Sequence, residues 1–237
     1  MSGFTAPYRE HVPRLAIALG GTPGAETRVR VAAVIWHVGC LVTCGWILAY
    51  VLIRSVQQYP LDAFEEYQIH KAIRWTHGAS LYGPVAEEVF PEAYPPLYFW
   101  SLGLWLRAFG ESFVAARLLS LVALVGIVGC GCWSLCNAAD RRTACLVFLT
   151  VFLCFHPLTA KFYEVSKPDT LLTLFLALAI VTGEHRSWVE ILVSSSAMLL
   201  AGLTKQNAPL FVVPLCLSHV LGGRWRWAVG WERRSAC

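Results

Sequence analysis

The chain has 237 residues, of which 57% are hydrophobic and 14% charged, with a formal net charge of +4. That apolar share is well above a soluble domain's. At ~20 residues per span it leaves room for about six membrane helices and little else, which excludes a separate soluble domain of any size. No dense basic cluster with interleaved aromatics is present, so nucleic acid is not an expected partner. The positive charge suits anionic lipid headgroups instead.

Residues 1–30 carry Arg9, Arg14, Arg28 and Arg30 and read as a cytoplasmic basic tail. They lack the charged stub, apolar core and cleavage site of a secretory signal. The segment 31–53, VAAVIWHVGCLVTCGWILAYVLI, has one histidine and no formal charge, which makes a span the default. Residues 55–111 form the first loop of a membrane core that extends over 31–222. From Asp62 to Thr76 the apolar positions Phe64, Ile69, Ala72, Ile73 and Trp75 recur at helical spacing. An amphipathic interfacial helix is expected there, stopped at Gly78.

The stretch EAYPPLYFW follows. Proline is tolerated only at the first turn of a helix, so a new helix starts at Pro96. It has about 13 residues before Gly110, hence ~20 Å at 1.5 Å per residue, short of a ~30 Å hydrocarbon core. This second helix is also expected to lie on the membrane. Further spans are expected over 113–136, 145–158, 170–181, 189–203 and 209–221, with a kink at Pro214, and then a Trp/Arg-rich interfacial tail over 223–237. Charge supports this topology. If the Pro96 helix does not span, 11 of the 19 Lys and Arg share one face; if it spans, the division is 9 against 10. The positive-inside bias favours the first arrangement.

The same topology puts three polar islands on one face, opposite the cytoplasm. They are LDAFEEY with Asp62, Glu65 and Glu66; KFYEVSKPDT with Lys161, Glu164, Lys167 and Asp169; and LTKQNAP with Lys205 and Gln206. Charges at helix ends of a membrane protein are costly and call for a reason. Asp62 lies three and four residues before Glu65 and Glu66, a spacing that puts them on one side of a helix. Two close carboxylates raise one another's pKa, and one can then take a hydroxyl proton or both can hold a cation. The plainer readings stand beside these. The acids also fit a solvated helix face, Asp169 a helix cap, and Lys205 a lysine snorkelling to the interface.

The nine cysteines fall mostly inside apolar runs, where they pack as small residues, and Cys130-Gly131-Cys132 lacks zinc-site spacing. His37, His156 and His219 read as structural, and His70 and His77 are too far apart for a metal pair. No phosphate-cradling glycine loop, GxSxG or HExxH is present.

Taken in order, LDAFEEYQIHKAIRWTHGASLYG, AYPPLYFWSLGLWLRAFGESFVAARLLSLVAL, VSKPDTLLTLFLALAI and LAGLTKQNAPLFVVPL resemble the N-terminal portion of a GT-C superfamily membrane glycosyltransferase. They are most similar to the RgtA/B/C/D-like and aminoarabinose- or mannosyl-transferase-type group. The resemblance runs from about residue 30 to 222 and implies an all-α polytopic membrane protein, a GT-C-like core of about six spans with interfacial helices in the first non-cytoplasmic loop. It also implies an inverting enzyme that passes a sugar from a polyprenyl-phosphate donor to a lipid or cell-envelope glycan acceptor at the non-cytoplasmic face of a bacterial inner membrane. Asp62 matches the essential loop acid and Glu65 a second acid, the catalytic pair. Asp169, Lys205 and Gln206 match substrate-binding positions, with Glu66, Tyr94 and Lys167 beside them. No cofactor is fixed by the resemblance, and some branches use a divalent cation. Such enzymes are usually longer, so this chain is expected to be a truncated form.

Two rival classes differ in testable ways. A transporter predicts mid-span charges and pseudo-repeats of the span pattern, neither of which is present. A non-catalytic membrane scaffold is consistent with the short chain.

Overall fold

A computed structural model describes residues 25–82, 94–156, 163–183 and 187–221. Within them the chain is helical without strands, in eight helices: α1 Ala25–Ser55, α2 Ala63–Thr76, α3 Pro96–Phe109, α4 Phe113–Ser134, α5 Arg141–Cys154, α6 Pro168–Gly183, α7 Trp188–Thr204 and α8 Pro209–Leu221. The tail at 223–237, most of the tail at 1–30 and Lys161 lie outside the described residues. Helix α1 starts six residues before the expected boundary and takes Arg28 and Arg30 into its first turns.

Capping sets the boundaries. Asp62, Ser112, Asp140 and Ser187 each accept a hydrogen bond from a backbone amide in the first turn of α2, α4, α5 and α7, satisfying donors that would otherwise be orphaned. Ser187 and Glu190 close a reciprocal capping box. Pro96 occupies the first turn of α3, with Pro95 extended before it, and the helix stops at Gly110, whose φ of 98° favours glycine.

Two helices, Thr27–Ser55 and Phe113–Ser134, are long and apolar enough to cross a membrane. Helices α6 and α7 are apolar but have 16 and 17 residues, or ~24–26 Å at 1.5 Å per residue. The remaining expected spans, α5 and α8, have 14 and 13 residues. Much of α1 points outward, with Trp46 77% and Ile35 66% exposed. Its inner seam runs parallel to α5. His37 meets Thr143 at 3.1 Å, Cys44 meets Thr150 at 3.4 Å, and the rings of Tyr50 and His156 stand edge to face at 5.7 Å.

Helices α2 and α3 pack closely together. Tyr98, Phe99, Leu102 and Leu106 on one face of α3 are buried with Ile69 and Ala72 of α2, Ala115 and Ala116 of α4 and Leu171 of α6. Gly103 permits this approach, because a Cβ there would stand 2.8 Å from the Trp75 ring and 3.1 Å from the Ala72 carbonyl oxygen. The opposite face of α3 exposes Trp100, Leu104 and Phe109.

The hydrogen bonds and ion pairs described next bring six helix ends together: the C-termini of α1, α5 and α7 and the N-termini of α2, α4 and α6. The turn from α4 to α5 lies at the other end, as do the C-terminus of α6 and the N-terminus of α7.

Candidate functional site at the polar end of the bundle

The base of the site is a buried arginine. Arg117, one turn into α4, is fully buried together with Glu65 of α2. Its Nε and Nη2 donate to the two carboxylate oxygens of Glu65 at 2.8 and 2.7 Å. Its remaining N–H groups reach the carbonyls of Gln57 at 2.7 Å, Tyr59 at 2.7 Å and Arg54 at 3.4 Å. Five donors thus meet five acceptors, the full complement of a guanidinium. Glu65 is equally saturated, because it also accepts from the amides of Leu61 at 2.9 Å and Ser166 at 3.0 Å. No lone pair is left for a substrate proton. In this geometry Glu65 does not share the chemistry expected of it beside Asp62; it pins α2 to α4 and to the segment leading into α6.

That segment is held rigidly. Glu164, Val165 and Ser166 are buried. Ser120 donates to the Val165 carbonyl at 3.0 Å, and the hydroxyls of Tyr98 and Ser166 stand 2.9 Å apart. Burial pushes the Tyr98 hydroxyl far above its ordinary range against the bond to Ser166, and the charges of Glu65 and Asp169 push the same way; Tyr98 therefore stays a neutral phenol. Glu164 lies between Arg54, whose Nε is 2.8 Å from Oε1 but not aligned as a linear hydrogen bond, and His156, whose Nε2 is 2.6 Å from Oε2. A structural role was expected for His156, and this contact fits it. The sequence puts Glu164 in the second polar island but shows no partner for it, and no motif in it singles out Arg54 or Arg117. The available signal was an arginine within the first turns of an apolar run, which must find a buried acceptor. Which acceptor, 52 residues earlier in the chain, was not encoded locally.

On this platform stand two lysine–carboxylate pairs. Lys167 Nζ is 3.0 Å from Asp62 Oδ2, with the side chains 12% and 35% exposed. Lys205 Nζ contacts Asp169 Oδ1, with exposures of 15% and 25%. Pro168 alone separates Lys167 from Asp169, so the two pairs are neighbours. Each ammonium also approaches an aromatic face: Lys167 the Phe64 ring at 6.0 Å and Lys205 the Tyr94 ring at 5.8 Å, the outer reach of a cation–π contact. Asp62 uses its other oxygen to cap α2 through the Phe64 amide at 2.8 Å. Partial burial works to raise its carboxyl. The hydrogen bonds from Lys167 and the Phe64 amide, with the Lys167 charge, outweigh that and leave it below its ordinary 3.8. Asp169 sits in the first turn of α6, where the helix dipole favours a negative charge. Lys205 is the first extended residue after α7.

Asp62, Tyr94, Lys167, Asp169 and Lys205 therefore gather at one place. Glu66 and Gln206 do not join the pairs. Gln206 is exposed on the following turn. Glu66 lines an open groove of about 560 Å³ with Tyr67 and His70 of α2 and Glu111 and Phe113 at the start of α4. Among the described residues no three His, Cys, Asp or Glu side chains gather as metal ligands. Asp62 and Asp169 are each already paired with a lysine, so the donor set does not fit a divalent cation.

Compared with models of known protein families, with characterised proteins and with solved structures, the chain gives no significant match.

Proposed function

We propose that the chain is the catalytic core of a membrane glycosyltransferase of the GT-C type, with six spans. It takes a sugar from a polyprenyl-phosphate donor and passes it to a lipid or cell-envelope glycan acceptor on the non-cytoplasmic face of a bacterial inner membrane. The observation that carries this reading is the meeting of Asp62, Lys167, Asp169 and Lys205, drawn from three separate chain segments, at one end of an apolar bundle. Two cations beside two carboxylates at a helix-end surface suit a substrate that is anionic at one point and hydroxylated at another.

In the reaction an acceptor hydroxyl oxygen bonds to the anomeric carbon. The bond from that carbon to the phosphate oxygen breaks, its electron pair stays on the phosphate, and the hydroxyl proton passes to Asp62. One displacement inverts the anomeric centre. The donor phosphodiester carries one negative charge and the departing monoester up to two, so the charge that develops is met by Lys167 and Lys205, the electrostatic contribution that usually dominates such steps. Asp169 orients Lys205 and the sugar hydroxyls, with Tyr94 beside them. Glu65 positions Asp62 through the first turn of α2. Glu66, in the neighbouring groove, and Gln206, at its exposed turn, contact the substrates outside the reacting centre.

The test is transfer from radiolabelled polyprenyl-phosphate sugars to membrane acceptors, comparing wild type with Asp62→Asn. Asparagine also caps helices, so the variant keeps the α2 boundary. The reading expects a rate loss of 10²-fold or more, on the scale of a general base. Wild-type rates from folded Asp62→Asn would remove Asp62 from the chemistry. Absence of transfer by the wild type with every donor would favour a non-catalytic scaffold.

A further inference from the structure

The two cations that would receive the donor phosphate are already occupied, Lys167 by Asp62 at 3.0 Å and Lys205 by Asp169. A phosphate can reach either ammonium only in competition with a carboxylate. We infer that the lipid-linked phosphate displaces Asp62 from Lys167, so that donor binding itself releases the base and the donor must bind before the acceptor hydroxyl can be deprotonated. This inference rests on the proposed phosphate-linked donor and adds an order of events to it.

The geometry makes the exchange feasible. Lys167 follows the buried 163–166 segment, so its backbone is anchored while the partner of its ammonium changes. Asp62 has a second anchor in the Phe64 amide, so losing Lys167 does not undo the α2 cap. At 35% exposed, Asp62 is the most open of the four side chains and the least costly to return to water. Asp169 is held differently. It occupies the first helical turn, where the dipole favours its charge whether or not Lys205 is paired. The Asp62–Lys167 pair is therefore the one expected to open first. Once it opens, the carboxylate loses its closest cation and becomes a better base, as proton abstraction requires. Before the donor arrives it is held as a counter-ion, which guards against premature capture of a proton or an acceptor.

The competition has a signature that a plain phosphate site lacks. Removing the Asp62 charge should tighten phosphate binding while abolishing transfer. Decaprenyl phosphate, presented in detergent micelles to the purified protein, is titrated against wild type, Asp62→Asn, Lys167→Met and the double variant. Asp62→Asn is expected to bind about two- to fivefold more tightly, the scale of a partly exposed ion pair. Lys167→Met is expected to bind more weakly. In the Lys167→Met background Asp62→Asn should have no further effect, since the contested cation is gone. Asp62→Asn that remains folded at the assay temperature and binds equally or more weakly overturns the inference and leaves the glycosyltransferase reading standing. Tightening that persists in the Lys167→Met background also overturns it, because the effect would then be general charge removal. If the wild type shows no saturable binding of decaprenyl phosphate, the donor assignment fails and the inference fails with it.

Discussion

Arg117 grips Glu65 through two parallel hydrogen bonds of 2.7 and 2.8 Å, and neither side chain has any exposed surface. Removing one member of such a pair strands a buried charge, at a cost of about 3–5 kcal/mol. Here the loss is compounded, because Arg117 also satisfies three backbone carbonyls, at the end of α1 and in the loop after it. Arg117→Lys keeps the charge but not the planar fork. Both Arg117→Lys and Glu65→Gln should lower the thermal unfolding midpoint in detergent, and Arg117→Lys should lower it more. Midpoints equal to wild type would show that the pair does not organise the loop.

The capping role of Asp62 also explains what sequence spacing could and could not reveal. The spacing of Asp62 and Glu65 places both on one side if both are helical. Asp62 is instead the extended residue before the helix, with φ −152° and ψ 143°. Its side chain turns to Lys167 while Glu65 turns inward to Arg117. The hydrophobic periods, the proline break and the capping residues are local signals, and α2, α3 and α4 start within a residue of their expected positions. Alternation of the apolar segments was enough to bring Asp62, Asp169 and Lys205 to one end. The Glu65–Arg117 and Glu164–Arg54 pairs depend on packing between segments distant in sequence, which no local pattern encodes.

Gly103 offers a test of the α2–α3 packing. A branched side chain there would strike the Trp75 ring and the backbone of Ala72. Gly103→Val should destabilise the protein by about 1–3 kcal/mol through overpacking and should alter tryptophan emission through Trp75. Gly45 in α1 has nothing within 4 Å of its hypothetical Cβ, so Gly45→Ala should be neutral or stabilising by up to ~1 kcal/mol. Equal effects at the two sites would contradict the close approach.

The acid response of Asp62 follows from the sign of its shift. Its folded-state pKa is lowered beneath 3.8. The native state therefore binds fewer protons than the unfolded chain as pH falls through that region. Its contribution is fully present above the unfolded value and is lost as pH drops through the lower folded one. Unfolding midpoints of wild type and Asp62→Asn should differ by a constant amount from about pH 5 to 7. Below pH 3.8 the difference should shrink. A difference that instead grows on acidification would mean that the carboxyl is raised, not lowered.

Membrane topology can be settled by parity. Glu66 and Gln206 are exposed near the polar end, and Ala139 is exposed in the turn between α4 and α5. With six spans, one crossing separates Glu66 from Ala139 and three separate Ala139 from Gln206. Single cysteines at these positions, in a background free of the nine native ones, should react with an impermeant maleimide from the non-cytoplasmic side at 66 and 206 and from the cytoplasmic side at 139. If only the two longest helices cross, no crossing lies between 139 and 206, and those two positions would react from the same side. That pattern would place Asp62 and Lys205 across the membrane from each other and remove the shared site on which the proposed chemistry depends.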